Sequence, residues 1–173
     1  MRSAIFGGTF DPIHNAHLVV ARRAAEEFRL DQILVVPAAH PPHKSGVTWV
    51  PYYHRVRMAE LACEGDPLLV VSRLEEGTVR SYSIDTIEKV RSAMALSDEL
   101  FFIIGSDAFA EIRTWHRWED VTRAVCFIAP IGHWALGARR IIWPAPNVVV
   151  HISAVRASWV RNCDRSCPGA VRS

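Results

Sequence analysis

The sequence contains no long apolar run and carries little net charge. None of its apolar segments reaches the roughly 18 residues that a membrane-spanning helix needs, and the opening MRSAIFGGTF breaks at two glycines, which is untypical of a signal peptide. The formal net charge is only +2 over 173 residues, so charge alone gives no basis for binding nucleic acid or a membrane surface. We expect a cytoplasmic protein without nucleic-acid or membrane partners.

Lysine and paired cysteines are also scarce. Lys44 and Lys89 are the only lysines, and arginine supplies the rest of the 20 Lys and Arg residues. Arginine suits bidentate contacts to phosphate, but the base composition of the coding DNA would produce the same bias. Cys163 and Cys167 form one close pair with no second pair at metal-ligand spacing. We therefore predict reduced cysteines without a role, and no metal site of the protein's own.

The composition and the alternation of patterns predict a folded α/β protein. Half of the residues are hydrophobic and 22% are charged, as in globular proteins, and the length suits one domain with a substantial core. β-rich apolar runs alternate with helical patterns, which predicts βαβ units in a doubly wound parallel sheet. Strands are predicted at 3–6, 32–37, 68–72, 99–104, 124–130 and about 147–151; helices are predicted at 14–28, 52–64, 81–94, around the tryptophans at 115 and 118, and at 153–161.

The loops that follow the predicted strands are the polar and glycine-rich parts of the chain. They cover residues 7–11, 37–44, 72–82 and 105–107. Right-handed crossovers bring the carboxyl ends of parallel strands to one edge of the sheet, where such folds bind ligands. The sequence therefore predicts a binding site at this edge.

The segment GGTFDPIHNAHL, residues 7–18, is the best candidate for an anion site. Glycines between a strand and a helix let backbone N–H groups approach an anion, and the helix N-terminus attracts negative charge. His14 and His17 lie three residues apart, on one face of the predicted helix, so both can reach one ligand. The segment is neither a Walker A loop nor a GxGxxG fingerprint. The alternative is a plain strand-to-helix turn that carries two histidines.

Other chemistry-bearing residues lie on the remaining loops at the same edge. Lys44 follows a proline-rich stretch and is a candidate counter-charge for phosphate. Asp85 and Asp107 begin helical patterns, where a carboxylate either caps the helix or binds a ligand. Trp115 and Trp118 are spaced at i and i+3. One of them is a candidate for stacking on a heteroaromatic ring and the other for the core.

The order of GGTFDPIHNAHL, PPHK, SYSIDT, IIGSDAF and WHRW resembles a known family. It is similar to the bacterial nicotinate-mononucleotide adenylyltransferases, within the nucleotidyltransferase superfamily that carries HxGH motifs. The resemblance extends over about residues 1–130. It implies a Rossmann-like domain that transfers AMP from ATP to nicotinate mononucleotide, forming nicotinate adenine dinucleotide and pyrophosphate. Mg²⁺ would arrive with the ATP. The resemblance is compatible with a homo-oligomer.

The resemblance also implies roles for individual residues. His14, His17 and Lys44 would hold the ATP phosphates, with Arg161 at the phosphate-binding end of a late motif. Thr86 would read the nicotinate carboxylate, with Asp85 beside it, and Trp115 would stack on the pyridine ring. The remaining candidates would contact ATP: Gly7, Gly8, Thr9, Phe10, Gly105, Ser106, Asp107 and Ser158.

The sequence departs from the family pattern in two places. Ala16 replaces the glycine between the two histidines, and HISAVRASWVRN matches the late ISSTxIR motif only in part, with Arg156 as a rival to Arg161. We therefore place the nucleotidyltransferase domain at 1–162 and a divergent or truncated tail at 163–173. Two alternative functions follow: another mononucleotide adenylyltransferase, such as one acting on pantetheine phosphate, and a nucleotide-binding protein with little turnover.

Overall fold

The computed structural model describes residues 1–40, 50–131 and 149–153. Its strands are β1 (Arg2–Gly8), β2 (Gln32–Pro37), β3 (Leu69–Val71), β4 (Glu99–Ile103), β5 (Cys126–Ile131) and β6 (Val149–Ser153). Its α-helices are α1 (Asn15–Phe28), α2 (Tyr52–Cys63), α3 (Ser83–Ser92), α4 (Ser106–Ala110) and α5 (Trp118–Ala124), and a short 3₁₀ helix covers Ile112–Thr114. The predicted helix at 153–161 lies almost wholly outside the described residues.

The strands form one parallel sheet in the order β3-β2-β1-β4-β5-β6. This is the strand order of doubly wound dinucleotide-binding domains, and it reverses between β1 and β4. The predicted Rossmann-like, doubly wound parallel sheet in a single domain is thereby confirmed. The ligand site predicted for such a fold lies where the order reverses, beyond the carboxyl ends of β1 and β4.

The sheet is buried on both faces, which explains the apolar runs in its central strands. Phe101 and Phe102 are neighbours on β4, yet Phe101 packs with Phe28 on one side while Phe102 packs with Phe127 on the other. Side chains alternate across a strand, so a strand covered on both faces loses the polar–apolar alternation of a half-exposed one. Helices α1 and α2 cover the first face, and α3, α4 and α5 cover the second.

Two of the differences between the predicted and the observed elements bear on the site. The first strand is longer than predicted, because Gly7 and Gly8 continue it by pairing with Val36 and Pro37 of β2. The helical interpretation of the tryptophan segment is wrong at Trp115, whose backbone is extended between the 3₁₀ helix and α5. There the packing of Trp115 against the core outweighs a helical pattern that the local sequence favours.

None of the helices that the structure describes is long and apolar enough to span a membrane.

Candidate nucleotide-binding site

A cavity opens where the strand order reverses, between the ends of β1 and β4. Its walls come from the end of β1, the loop after β2, the start of α3, the turn into α4, and the segment before α5. Six of the predicted site residues line it: Gly7, Gly8, Thr9, Thr86, Gly105 and Trp115. Segments up to about a hundred residues apart in sequence therefore meet in one concave site.

The cavity has an apolar floor and a polar rim. Ile5, Val36, Phe102 and Ile104 are each buried and form part of its apolar lining. Trp115 is half-buried, and its ring meets the Phe102 ring edge-to-face, with centroids 6.1 Å apart and planes 74° apart. Such aromatic pairs prefer this geometry. The arrangement fixes the indole at the cavity wall, where a flat heteroaromatic ligand can stack on it.

Ser81, Tyr82, Ser83 and His116 also line the cavity and were not singled out from the sequence. The Tyr82 and His116 rings stack, with centroids 4.3 Å apart and planes 31° apart. These residues belong to the SYSIDT and WHRW segments that carried the family resemblance. The two motifs were therefore recognised in the sequence. Their spacing, however, could not predict that the tyrosine before α3 contacts the histidine before α5.

The glycine segment turns sharply at Phe10. Phe10 has a left-handed backbone (φ 48°) and a side chain only 3% exposed, packed edge-to-face on Phe6 and on His17 at centroid distances of 5.4 and 5.1 Å. Phe10 does not line the cavity; its buried ring instead supports the His17 imidazole. Phe10 can therefore make its predicted contact with a nucleotide only through its backbone.

His14 and His17 are held together at the start of α1. His14 is the N-cap residue, and its backbone N–H donates to Nδ1 of His17 over 3.2 Å. The two rings lie with centroids 3.8 Å apart. Since Nδ1 of His17 accepts a hydrogen bond, the proton of the neutral ring belongs on Nε2. The hydrogen bond from the His14 backbone thus fixes the tautomer in which His17 donates through Nε2.

The pKa of His17 is lowered to about 4, mainly by burial and then by the nearby His14. At neutral pH the His17 ring is therefore uncharged, and its Nε2–H is available as a hydrogen-bond donor. A bound polyphosphate would oppose the shift, because negative charge favours the protonated ring.

The lowered pKa predicts acid-dependent destabilisation. In the unfolded chain the imidazole takes up a proton near pH 6.5, whereas in the folded protein it resists protonation down to about pH 4. Between these values the unfolded state binds more protons, so stability falls as the pH drops through this window. We expect the melting temperature of His17→Asn to fall less than that of the wild type between pH 6.5 and 4, measured by thermal melts in matched buffers. Parallel curves for the two proteins would contradict the assignment.

A second prediction concerns the close approach of Gly8 to Phe10. A Cβ added at Gly8 would lie 3.1 Å from two atoms of the Phe10 ring. Because that ring is enclosed by Phe6 and His17, we expect Gly8→Ala to cost about 1–3 kcal/mol of unfolding free energy, the usual range for overpacking. Urea unfolding measures this cost. It should shrink in a Phe10→Leu background, and an equal cost in both backgrounds would rule out the ring as its cause.

The acidic candidates lie at the solvent-exposed rim of the site. Asp107 and Ser106 are exposed in the first turn of α4, and a Cβ at Gly105 would come within 2.5 Å of Asp107 Oδ1. Asp85 is exposed in the first turn of α3 and does not line the cavity. The structure thus places Asp107 beside the cavity wall and leaves Asp85 at a helix start.

Thr86 is only 3% exposed, and its hydroxyl is already engaged. Its Oγ1 donates to Oε1 of Glu75 over 2.8 Å, and both residues line the cavity. The backbone N–H of Thr86 is engaged as well, because it donates to the carbonyl of Tyr82 over 3.3 Å. A ligand carboxylate would therefore meet the main-chain N–H groups at the very start of α3, at Ser83 and Ile84, which precede Thr86.

Three predicted site residues lie outside the described residues: Lys44, Ser158 and Arg161. The cysteine pair at 163 and 167 and the predicted domain boundary at 162 also lie outside them. Over residues 1–40, 50–131 and 149–153, no group of three or more His, Cys, Asp or Glu side chains is arranged to hold a metal ion.

The fold and the site define an α/β domain with a ligand cavity at the reversal of its strand order. Comparison with family models gives the same class: the cytidylyltransferase-like model matches residues 5–153. The chain therefore belongs to the cytidylyltransferase-like family, and bacterial proteins similar to it are described as probable nicotinate-nucleotide adenylyltransferases. The family predicted from the motifs is thereby confirmed.

Two relatives illustrate the match. A protein of Solibacter usitatus, described as a probable nicotinate-nucleotide adenylyltransferase, is 68% identical over 128 residues, which cover 74% of this chain and 68% of the relative. A protein of Geobacter metallireducens with the same description is 44% identical over 130 residues, covering 75% of this chain and 60% of the relative. The matched segment thus spans about three-fifths to two-thirds of these relatives.

Solved structures show the same fold at low identity. The nicotinic acid mononucleotide adenylyltransferase of Plasmodium falciparum in complex with NaAD has a TM-score of 0.75 and 22% identity, covering 91% of this chain and 77% of that one. The same enzyme in complex with APC has a TM-score of 0.72 and 21% identity. Both likenesses support the doubly wound fold.

Proposed function

We propose that this protein transfers AMP from ATP to nicotinate mononucleotide, forming nicotinate adenine dinucleotide and pyrophosphate. The observation that carries the proposal is the single cavity in which Gly7, Gly8 and Thr9 meet Thr86 and Trp115. Phosphate-cradling glycines and a stacking aromatic side chain share one site, as a reaction between two nucleotides requires. The relatives described as nicotinate-nucleotide adenylyltransferases support the same substrates.

The reaction needs alignment and charge neutralisation more than a protein nucleophile. The phosphate of the mononucleotide is already anionic, and it attacks the α-phosphorus of ATP as pyrophosphate leaves. Holding the two substrates in line supplies up to about 7–11 kcal/mol of the barrier reduction. Donors placed at the transferring phosphoryl group add to this, at about 3–4 kcal/mol for each donor lost.

In this proposal the glycine segment and α1 bind the triphosphate. Gly7, Gly8 and Thr9 present backbone to the nucleotide, while the N-terminus of α1 attracts the phosphates. His17 donates through Nε2 as an uncharged ring, and the exposed His14 lies beside it. The two histidines would hold the phosphates without taking part in proton transfer.

The other half of the cavity would bind the pyridine nucleotide. Trp115 would stack on the pyridine ring, and the start of α3 at Thr86 would read the nicotinate carboxylate. The turn into α4 would contact the ATP nucleoside through Gly105, Ser106 and Asp107. Asp85 would contact the pyridine nucleotide beside Thr86. The aromatic wall formed by Trp115 and Phe102 supports this division.

The remaining roles rest on the family resemblance. Lys44, Ser158 and Arg161 would complete the phosphate contacts. Mg²⁺ would enter with ATP, held mainly by phosphate oxygens and water, as is usual for this ion. Its chemistry would be to neutralise charge on the phosphates that the histidines also contact.

One assay tests the proposal. The purified chain is incubated with Mg-ATP and either nicotinate or nicotinamide mononucleotide, and dinucleotide and pyrophosphate are measured. We expect both products with nicotinate mononucleotide, and the ratio of the two rates gives the acid-to-amide preference. ATP binding by calorimetry without pyrophosphate release from either substrate would overturn the proposal and favour a nucleotide-binding protein with little turnover.

A further inference from the structure

A buried arginine lies directly behind the cavity. Arg55 on α2 is 1% exposed, and its guanidinium group donates to backbone carbonyls on separate segments. Nη1 donates to Thr9 over 2.6 Å and to Ala38 over 2.8 Å, and Nε donates to Val50 over 3.0 Å. Arg55 therefore ties the glycine segment to the chain that follows β2 and to the chain that leads into α2.

A buried carboxylate contacts the same segment from the other side. Glu75 is 7% exposed; its Oε2 accepts from the backbone N–H of Ala39 over 3.3 Å, and its Oε1 accepts from the Thr86 hydroxyl over 2.8 Å. Glu75 therefore ties the chain after β2 to the start of α3.

The two charged groups meet at Ala38 and Ala39. Arg55 holds the carbonyl of Ala38, and its Nη2 lies 3.5 Å from the carbonyl of Ala39, while Glu75 holds the N–H of Ala39. The contacts therefore run without a break from Thr9 of the glycine segment to Thr86 of the pyridine-side wall. They cross the site along the cavity wall that Thr9, Ala38, Glu75 and Thr86 line.

Electrostatics link the same groups. Burial lowers the pKa of the Arg55 guanidinium, and the carboxylates of Asp11 and Glu75 oppose that change. Buried charges of this kind add little net stability, because well-packed apolar side chains of similar size often serve as well or better. Arg55 and Glu75 instead fix the hydrogen-bond geometry among four chain segments: the glycine segment, the chain after β2, the chain that leads into α2, and the start of α3.

We propose that Arg55 and Glu75 are positioning residues that set the distance between the ATP subsite and the pyridine-nucleotide subsite. The inference rests on the proposed function, in which turnover depends on aligning two bound nucleotides. Neither side chain needs to touch the reacting atoms: Arg55 acts through the carbonyl of Thr9, and Glu75 acts through Thr86. Each subsite can still bind its own substrate when the link is broken, but the two substrates are no longer held in line.

The test uses substitutions that separate geometry from charge. Arg55→Lys keeps the charge and loses the planar group that reaches several carbonyls. Glu75→Ala removes both acceptors, whereas Glu75→Gln keeps the size of the side chain. Its amide oxygen can accept from Ala39 N–H, and its NH2 group can donate to the Thr86 hydroxyl, which rotates to accept. Arg2→Lys is the matched control, because Arg2 also donates to a backbone carbonyl, that of Phe28, but lies at the opposite end of β1.

We expect Arg55→Lys and Glu75→Ala to lower kcat about 100-fold, the usual result of a misplacement near 1 Å. The KM for each substrate should change less than about threefold, since binding at each subsite is retained. Glu75→Gln should recover most of the activity lost in Glu75→Ala, and Arg2→Lys should keep the wild-type kcat. Rates are normalised to folded protein by circular dichroism and thermal melting.

The outcomes separate this inference from the proposed function. A kcat for Arg55→Lys within threefold of the wild type, or a loss explained by the folded fraction alone, would overturn the positioning role. If Arg55→Lys does not fold, the Glu75→Ala and Glu75→Gln pair decides. If the wild type forms no dinucleotide, the proposed function fails, and calorimetry of nicotinate mononucleotide with and without α,β-methylene-ATP tests the link directly. The link is supported if α,β-methylene-ATP changes the affinity for nicotinate mononucleotide in the wild type but not in Arg55→Lys. It is refuted if the change is the same in both proteins or is absent from the wild type.

Discussion

Replacing His17 with asparagine is expected to lower kcat by about 10²- to 10³-fold, the effect of losing one donor to the transition state. The Nε2–H of His17 is fixed as the donor because Nδ1 accepts from the backbone N–H of His14. Asparagine places an oxygen near the Nδ1 position and has nothing that reaches as far as Nε2. The substitution therefore keeps the helix cap and removes the group that would face the phosphates.

His17→Gln provides the complementary variant. Its amide nitrogen reaches the Nε2 position, and glutamine at the third helical residue is also the usual capping-box acceptor for the N-cap N–H, here that of His14. We expect His17→Gln to be about as stable as His17→Asn and yet more active. Steady-state kinetics and urea unfolding of the two variants measure both properties. Wild-type activity in both variants would mean that His17 serves only to cap α1.

Trp115→Ala is expected to raise the KM for nicotinate mononucleotide about 5- to 150-fold, equivalent to the roughly 1–3 kcal/mol of stacking on one base. The KM for ATP should change much less. The reason is the place of the indole, which stands against Phe102 at the cavity wall, whereas the triphosphate of ATP would lie at the glycine segment and the start of α1. Initial rates with each substrate varied in turn give the two constants.

Trp118 offers a matched control three residues along the chain. It is half-buried like Trp115, lies under the guanidinium of Arg113 at 5.9 Å, and does not line the cavity. Trp118→Ala should therefore leave both KM values near those of the wild type. Equal increases in both KM values for Trp115→Ala would argue against stacking on the pyridine ring.

The order of strands and helices was predictable because its cause is local and repeated. Each central strand is covered on both faces, so it appears in the sequence as an unbroken apolar run such as LFFII. The helices between the strands have a 3.6-residue period, and alternation of the two patterns allows few topologies. Boundaries were less certain: β1 runs on through Gly7 and Gly8 because β2 continues beside it.

The closeness of the glycine segment and the two histidines could be predicted because their spacing is short and lies at a strand-to-helix junction. The tautomer of His17 could not, since it depends on an N–H to Nδ1 distance. The extended backbone at Trp115 was missed for a related reason. Its ring packs against Phe102, which precedes it by 13 residues, and a contact at that separation leaves no local signal in the sequence.

Arg55 and Glu75 were also invisible to pattern analysis. Arg55 occurs in YYHRVRMAELAC, where a second arginine, Arg57, is exposed and pairs with Glu60 on the same helix. Nothing in the spacing distinguishes a solvated arginine from a buried one. Only the fold shows that one of them points at the carbonyls behind the cavity.

The contacts to Ala38 and Ala39 reach the main chain and not the methyl groups. A mutational scan of these two positions would report volume limits, because Ala39 is buried, and would show tolerance for small residues such as glycine or serine. Proline at position 39 would be the exception, since it lacks the N–H that Glu75 accepts. A segment can thus fix the geometry of a site through its main chain while its side chains tolerate substitution by other small residues.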